Sequence, residues 1–296
     1  MGRLALVCLG LVVQTGLARA QAWTSPARTL ELDANYQLGY ATQTENSDVH
    51  VIHHYFIPSV EYSITDQLQV SASLPLIAIE CPNCQTLDGG SHAHGAYDDG
   101  SYHFTPTDAR VTARYMIPLG PIAITPQIGG SAPVRLYEWA GNASAGRRLN
   151  AAYAGVNVGV NLESILPRTL INVMYELAIV EKFNGAGPEG SAINQDYSTF
   201  SAQIIHTIRR VHIHLGVDGH YNHDGISFSQ FPQLPEIEQL NHDPILREHI
   251  LLAGGGVSYD LGDRTTLYAA VRIFVTGENT SNASLFSVGA TWDFDL

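Results

Sequence analysis

Cys81, Cys84, His92, His94, Asp98, Asp99 and His103 crowd one stretch of the chain. Thiolates and imidazoles are the ligand types that zinc and copper take, so Cys81, Cys84, His92, His94 and His103 form a candidate metal set. The C-x-x-C pair has a second reading, because an exported chain meets an oxidising compartment where two such cysteines close as a small disulfide. Gln85 follows Cys84, so the C-x-x-C-H pattern of covalent haem is absent, and no cofactor is expected.

A second constellation is spread along the chain. His212, His214 and His220 share one parity of a single segment, and residues two apart on a strand sit about 6.6 Å from each other, which permits shared ligation without requiring it. The alternative is a polar lining that titrates near neutral pH. Arg110, Arg114 and Arg272 on two segments, with Glu61, Glu176 and Asp218 on others, form a set of lumen-facing charges, and His53 shares the inward parity of the segment that carries Glu61. Such a set either places a transverse field across a constriction and selects solutes by charge, or pairs across the interior and braces its wall.

Enzyme chemistry finds little support. A lipid-facing acyl hydrolase needs a serine beside a histidine on one outward face, yet no His-x-Ser occurs, and His206 has no hydroxyl within one strand step on its face. His223-Asp224-Gly225 with Ser227 resembles hydrolase chemistry only loosely. No catalytic residue is assigned and a non-enzyme is expected.

The elements that hold these residues have a period of two. In the last segment Phe286, Val288, Ala290, Trp292, Phe294 and Leu296 fall on one face, while Ser287, Gly289, Thr291, Asp293 and Asp295 fall on the other. Twelve such segments are expected, at 29–41, 49–64, 67–79, 108–118, 121–134, 150–163, 168–182, 197–208, 210–222, 249–261, 264–276 and 283–296. Each reaches the roughly 9–11 residues that a tilted membrane-crossing strand requires. Short links near Thr65-Asp66, Leu119-Gly120, 164–167, Arg209 and Gly262-Asp263 alternate with longer ones at 42–48, 80–107, 135–149, 183–196, 223–248 and 277–282. This rhythm predicts an all-β fold, a single transmembrane β-barrel of twelve antiparallel strands with short periplasmic turns and long extracellular loops. Outward aromatics near the segment ends, Tyr40, Phe200, Tyr221 and Phe286 at one level and Tyr62, Tyr115, Tyr259, Trp292 and Phe294 at the other, predict two interfacial girdles.

Arg3, the apolar run 4–13 and Ala18-Arg19-Ala20 read as a secretory signal peptide over residues 1–20, leaving the barrel at 21–296. With Arg3 and Arg19 removed, the 15 basic residues become 13 against 28 acidic ones, a net charge of −15, so nucleic acid is not an expected partner. The expected partners are outer-membrane lipid, small-molecule solutes and the barrel-assembly machinery, engaged through the C-terminal strand. About eight residues precede the first strand, too few for a plug domain. A lumen of about 10 Å is then expected inside a backbone cylinder of about 24 Å.

The run from Pro58 through Ser59, Val60, Glu61 and Tyr62 to Val70, leading into Leu74-Pro75-Leu76, is supported by the strand from Asp108 to Tyr115 and by Ile124-Thr125-Pro126 leading to Ala132-Pro133. On these motifs the chain resembles the outer-membrane proteins named after the meta-cleavage pathway of phenol degradation. The resemblance implies a bacterial outer-membrane barrel that passes small aromatic or apolar molecules, and it brings no catalytic residues. Three functions follow in order of support: a passive channel for aromatic or small polar solutes, a metal-handling barrel using the Cys/His loop, and a structural or partner-binding barrel without transport.

Overall fold

The computed structural model describes residues 22–43, 50–84, 97–137, 143–182, 194–227 and 247–296. Expectations that fall elsewhere, including the signal peptide, His92 and His94, lie outside the described residues. The described chain forms fifteen strand segments in one antiparallel sheet. They are β1 Thr29–Gln43, β2 His50–Ser63, β3 Leu68–Ser73, β4 Leu76–Glu80, β5 His103–Pro106, β6 Asp108–Tyr115, β7 Ile117–Leu119 and β8 Ile122–Pro133. They continue as β9 Ala151–Asn161, β10 Thr169–Val180, β11 Tyr197–Ile208, β12 Val211–Asn222, β13 His249–Asp260, β14 Thr265–Glu278 and β15 Ser281–Asp295.

β3 with β4 makes one stave and β5, β6 and β7 make another, so the cylinder has twelve staves. It closes because β1 pairs with β2 on one side and with β15 on the other, from Thr29 opposite Asp295 to Gln43 opposite Ser281. Closure leaves no backbone edge at that seam, which hydrocarbon demands of any sheet that crosses it. No helix of the described chain is long and apolar enough to cross a membrane.

The alternation sorts as expected. Leu32, Val60, Val173, Ile204, Ile213, Leu215, Val257, Val271, Phe286, Val288 and Trp292 stand exposed on the outer wall. Asn35, Gln37, Gln69, Gln127, Asn157, Asn172, Ser258 and Thr291 are buried on the inner one. Two outward histidines that break the rule are each held by a hydroxyl, His54 by the Tyr36 phenol at 2.7 Å and His206 by Thr169 Oγ1 at 2.9 Å.

Two connections differ from expectation. The link at 277–282 shrinks to Asn279-Thr280, with Asn279 in the left-handed region (φ 51°) that a two-residue hairpin needs. Part of 80–107 is strand, since β5 pairs with β4 and lengthens the fourth stave upward. At the opposite rim, Arg168 and Arg209 adopt the same left-handed turn geometry.

Candidate lumen and its two ends

The ten residues expected to line a channel all project from the inward parity. Their charges are paired. Arg114 reaches across β3 to Glu61, Nη2 to Oε1 at 2.8 Å, and its Nε donates to Gln69 between them. Arg110 crosses β8 and β9 to donate to Glu176 at 2.6 Å, with its guanidinium 3.7 Å from the centre of the Tyr153 ring. Gln127 donates to the same carboxylate at 2.7 Å. Arg272 crosses β13 to Asp218 at 2.5 Å.

These side chains lie along the wall rather than across the bore. The intervening strand makes room for them with small residues. On β15 a Cβ added at Gly289 would stand 2.3 Å from the Tyr268 hydroxyl, which runs over it to donate to Asp33 at 3.0 Å. The geometry is that of bracing. The transverse field that opposed charges would create is largely cancelled where each arginine sits on its carboxylate.

Each histidine has its own side-chain partner, although among the described residues the buried Nδ1 of His214 has none. His53 bonds Tyr55 at 3.0 Å, and His212 bonds both Thr207 at 2.9 Å and Asp260 at 2.9 Å. His214 bonds Ser258 at 2.9 Å and His220 bonds Asn222 at 2.6 Å. His212, His214 and His220 therefore do not converge on a common point.

The Cys/His stretch is only partly described. Cys81 and Cys84 are joined by a disulfide, which leaves neither sulfur as a thiolate ligand in this state. His103 stacks on Tyr97 at 4.2 Å and bonds Asp99 at 2.8 Å, and this bond is the main cause that lowers the Asp99 carboxyl below its usual pKa. Among the described residues no three of His, Cys, Asp and Glu gather as metal ligands. Untreated protein is expected to give a mass two hydrogens lower in the peptide carrying both cysteines. Two free thiols there would return them to the metal set.

Both ends of the lumen are narrowed by segments without strand periodicity. At the periplasmic end the short segment before β1, expected to be too short for a plug, enters the barrel. Ala22 is fully buried, its amide donates to Asn172 Oδ1 at 3.1 Å, and its carbonyl accepts from Thr125 Oγ1 at 2.5 Å. The Trp23 ring covers Gly159, where an added Cβ would stand 2.1 Å from it. Replacing Gly159 by valine is expected to expel this tail and raise single-channel conductance several-fold, as planar-bilayer recording would show.

At the extracellular end residues 143–148 fold inward. Tyr137 donates to Asp108 at 2.6 Å and accepts from the Arg148 amide at 2.8 Å. Burial, with Asp108 beside it, pushes this phenol well above its usual pKa and keeps it a donor. Asp98 accepts from the Ala143 amide at 2.8 Å, and Arg147 donates to the buried Glu248 at 2.7 Å. Around them lies an apolar pad, Val51, Tyr55, Ile57, Ile77 and Ile79 on β2 and β4, capped by the disulfide, Tyr137 and Ala143. This pad was not legible beforehand.

A serine and a histidine do meet on the outer wall. Ser198 Oγ lies 2.7 Å from His223 Nε2 and 2.7 Å from the Tyr175 hydroxyl. The pair joins β11 to the residue just past β12, so no short motif marks it.

No family model and no curated protein matches the sequence. Solved structures share its fold. A COG4313 outer membrane channel from Pseudomonas putida F1 superposes with a TM-score of 0.70 at 11% identity, over 93% of this chain and 99% of that one. The beta domain of the Bordetella autotransporter BrkA gives 0.51 at 12% identity over 90% and 100%. The NanC porin gives 0.50 at 9% identity over 88% and 98%. The fold is that of bacterial outer-membrane barrels.

Proposed function

We propose that the chain is a non-enzymatic outer-membrane channel through which small molecules pass down their gradients, residues 1–20 being a leader that export removes. The observation that carries this reading is a polar, internally braced inner wall inside a closed cylinder whose outer wall is apolar. Side chains that lie flat on the wall leave the axis to solvent, and the two inward-folded ends set which solutes enter. His53, Glu61, Arg110, Arg114, Glu176, His212, His214, Asp218, His220 and Arg272 are the lining in this reading.

The apolar pad at the mouth favours aromatic or apolar solutes entering from outside, as the motif resemblance implies, while the polar wall below it suits small polar ones. Lipid contacts the outer wall. The strand β15, ending in Trp292, Phe294 and Leu296, is the segment the assembly machinery would engage.

Reconstituted protein is expected to give discrete conductance steps and to swell liposomes in solutes of graded size, with a cut-off set by the inward-folded ends. Absence of both would leave a structural or partner-binding barrel. Stoichiometric metal in purified protein, lost in a His92→Ala, His94→Ala variant, would favour the metal-handling alternative.

A further inference from the structure

Four prolines stand at one height on four neighbouring staves. Ser59 pairs with Ser73, so Pro58 lies opposite Leu74, whose amide donates to the Pro58 carbonyl at 3.2 Å. Pro75 follows directly in the break between β3 and β4, and its carbonyl accepts from the Thr107 amide at 3.0 Å. Pro106 pairs with Leu76, and Pro133 with Asp108. Proline has no amide hydrogen to give a ladder, and its ring fixes φ, so it is rare inside sheets except at edges and breaks. A row of four thins the hydrogen bonding along one line across the wall.

The wall changes character at that line. Below it β2, β3, β6 and β8 pair in unbroken order. Above it β2 pairs with β4 and β4 with β5, and among the described residues no strand pairs with the other edge of β5. Among the described residues the backbone bond at the base of that edge is from the Val134 amide, 3.3 Å from the Thr107 carbonyl, with the Tyr137 phenol on Asp108 just beside it. A sheet edge facing a bilayer carries a cost for each backbone group it leaves unpaired, which makes this edge a weak line in the cylinder.

Both sides of the weak edge are apolar. Outside it stand Phe104, 66% exposed, Leu136, 79% exposed, and Val134. Inside, on β4 next to β5, stand Ile77 and Ile79 of the apolar pad. Most of the remaining inner wall is lined by amides, hydroxyls and paired charges, with a second apolar group, Ile250, Leu252, Phe274 and Leu285, on β13 to β15; of the two groups it is the pad that borders the weak edge, so an apolar molecule at the mouth meets apolar surroundings beside that edge.

The geometry points to a lateral route: the β4–β5 flap hinges on the proline row and opens the apolar pad sideways into the outer leaflet, so that small apolar molecules move between mouth and membrane without crossing the polar bore. This rests on the channel reading above and assigns apolar solutes their own path. The bore serves polar ones.

Two measurements test it. In amide hydrogen exchange on the refolded barrel, residues 76–80 and 103–106 are expected to exchange at least tenfold faster than 68–73 and 108–115 of the same staves. Equal protection would remove the hinge. In the second, Phe104→Cys and Leu136→Cys, which flank the edge, are joined by a bismaleimide on cells displaying the chain. N-phenyl-1-naphthylamine, a small apolar aromatic that fluoresces on entering membrane, reports the lateral path, and planar-bilayer conductance of the purified protein reports the bore.

Cross-linking is expected to slow dye entry severalfold toward that of cells lacking the chain, with conductance unchanged and with each single-cysteine variant behaving as wild type after the same treatment. Dye entry that is unaffected by the cross-link, or no faster with the chain than without it, overturns the lateral route while intact conductance leaves the channel standing. Loss of conductance in the unmodified protein would instead overturn the channel.

Discussion

Replacing Glu176 by alanine is expected to destabilise the barrel by about 3–5 kcal/mol, the usual cost of stranding one member of a buried ion pair. Glu176 is 2% exposed and accepts from both Arg110 and Gln127. Its loss leaves a guanidinium with its aromatic neighbour Tyr153 but without its carboxylate. Urea unfolding of the refolded protein, followed by tryptophan fluorescence in detergent, checks the value. A Glu176→Gln variant should recover part of it, because an amide oxygen still accepts from Gln127. A loss below about 1 kcal/mol for alanine would place the pair among weakly coupled, solvent-screened ions and undo the bracing account.

Removing Arg147 is expected to act on passage. Its guanidinium ties the inward-folded residues 143–148 to Glu248 and to Gln195, at 2.7 and 3.3 Å. Arg147→Ala should free that segment from the far side of the mouth and raise conductance several-fold, with longer open times in single-channel records. The fold should persist, because the segment is a connection and no stave depends on it. Unaltered conductance would mean that the mouth does not limit passage and that the periplasmic tail sets the rate.

The staves were legible because lipid and lumen impose opposite chemistries on alternate residues, and a segment such as 283–296 carries that demand at every position. The inward charges followed from the same rule, since an arginine at an outward position would face hydrocarbon. Their pairing was not legible. Alternation fixes a face but not the distance around the cylinder, and Arg110 meets Glu176 only because β8 and β9 lie between them.

The two ends escaped for a different reason. Ala22, Trp23 and residues 143–148 have no period, and their burial depends on filling a cavity that exists only once the staves have closed. The apolar pad escaped because 74–79 is apolar on both parities, which hides the inward placement of Ile77 and Ile79 among outward neighbours.

Inner and outer surfaces of each stave answer to different solvents through side chains that never meet. The calibre of the cylinder can therefore drift, pair by pair, while the belt gripped by lipid stays as it is. Gly289 shows how fine the adjustment is: one methyl group there would lift the Tyr268 ring off the wall and into the path of whatever travels the axis.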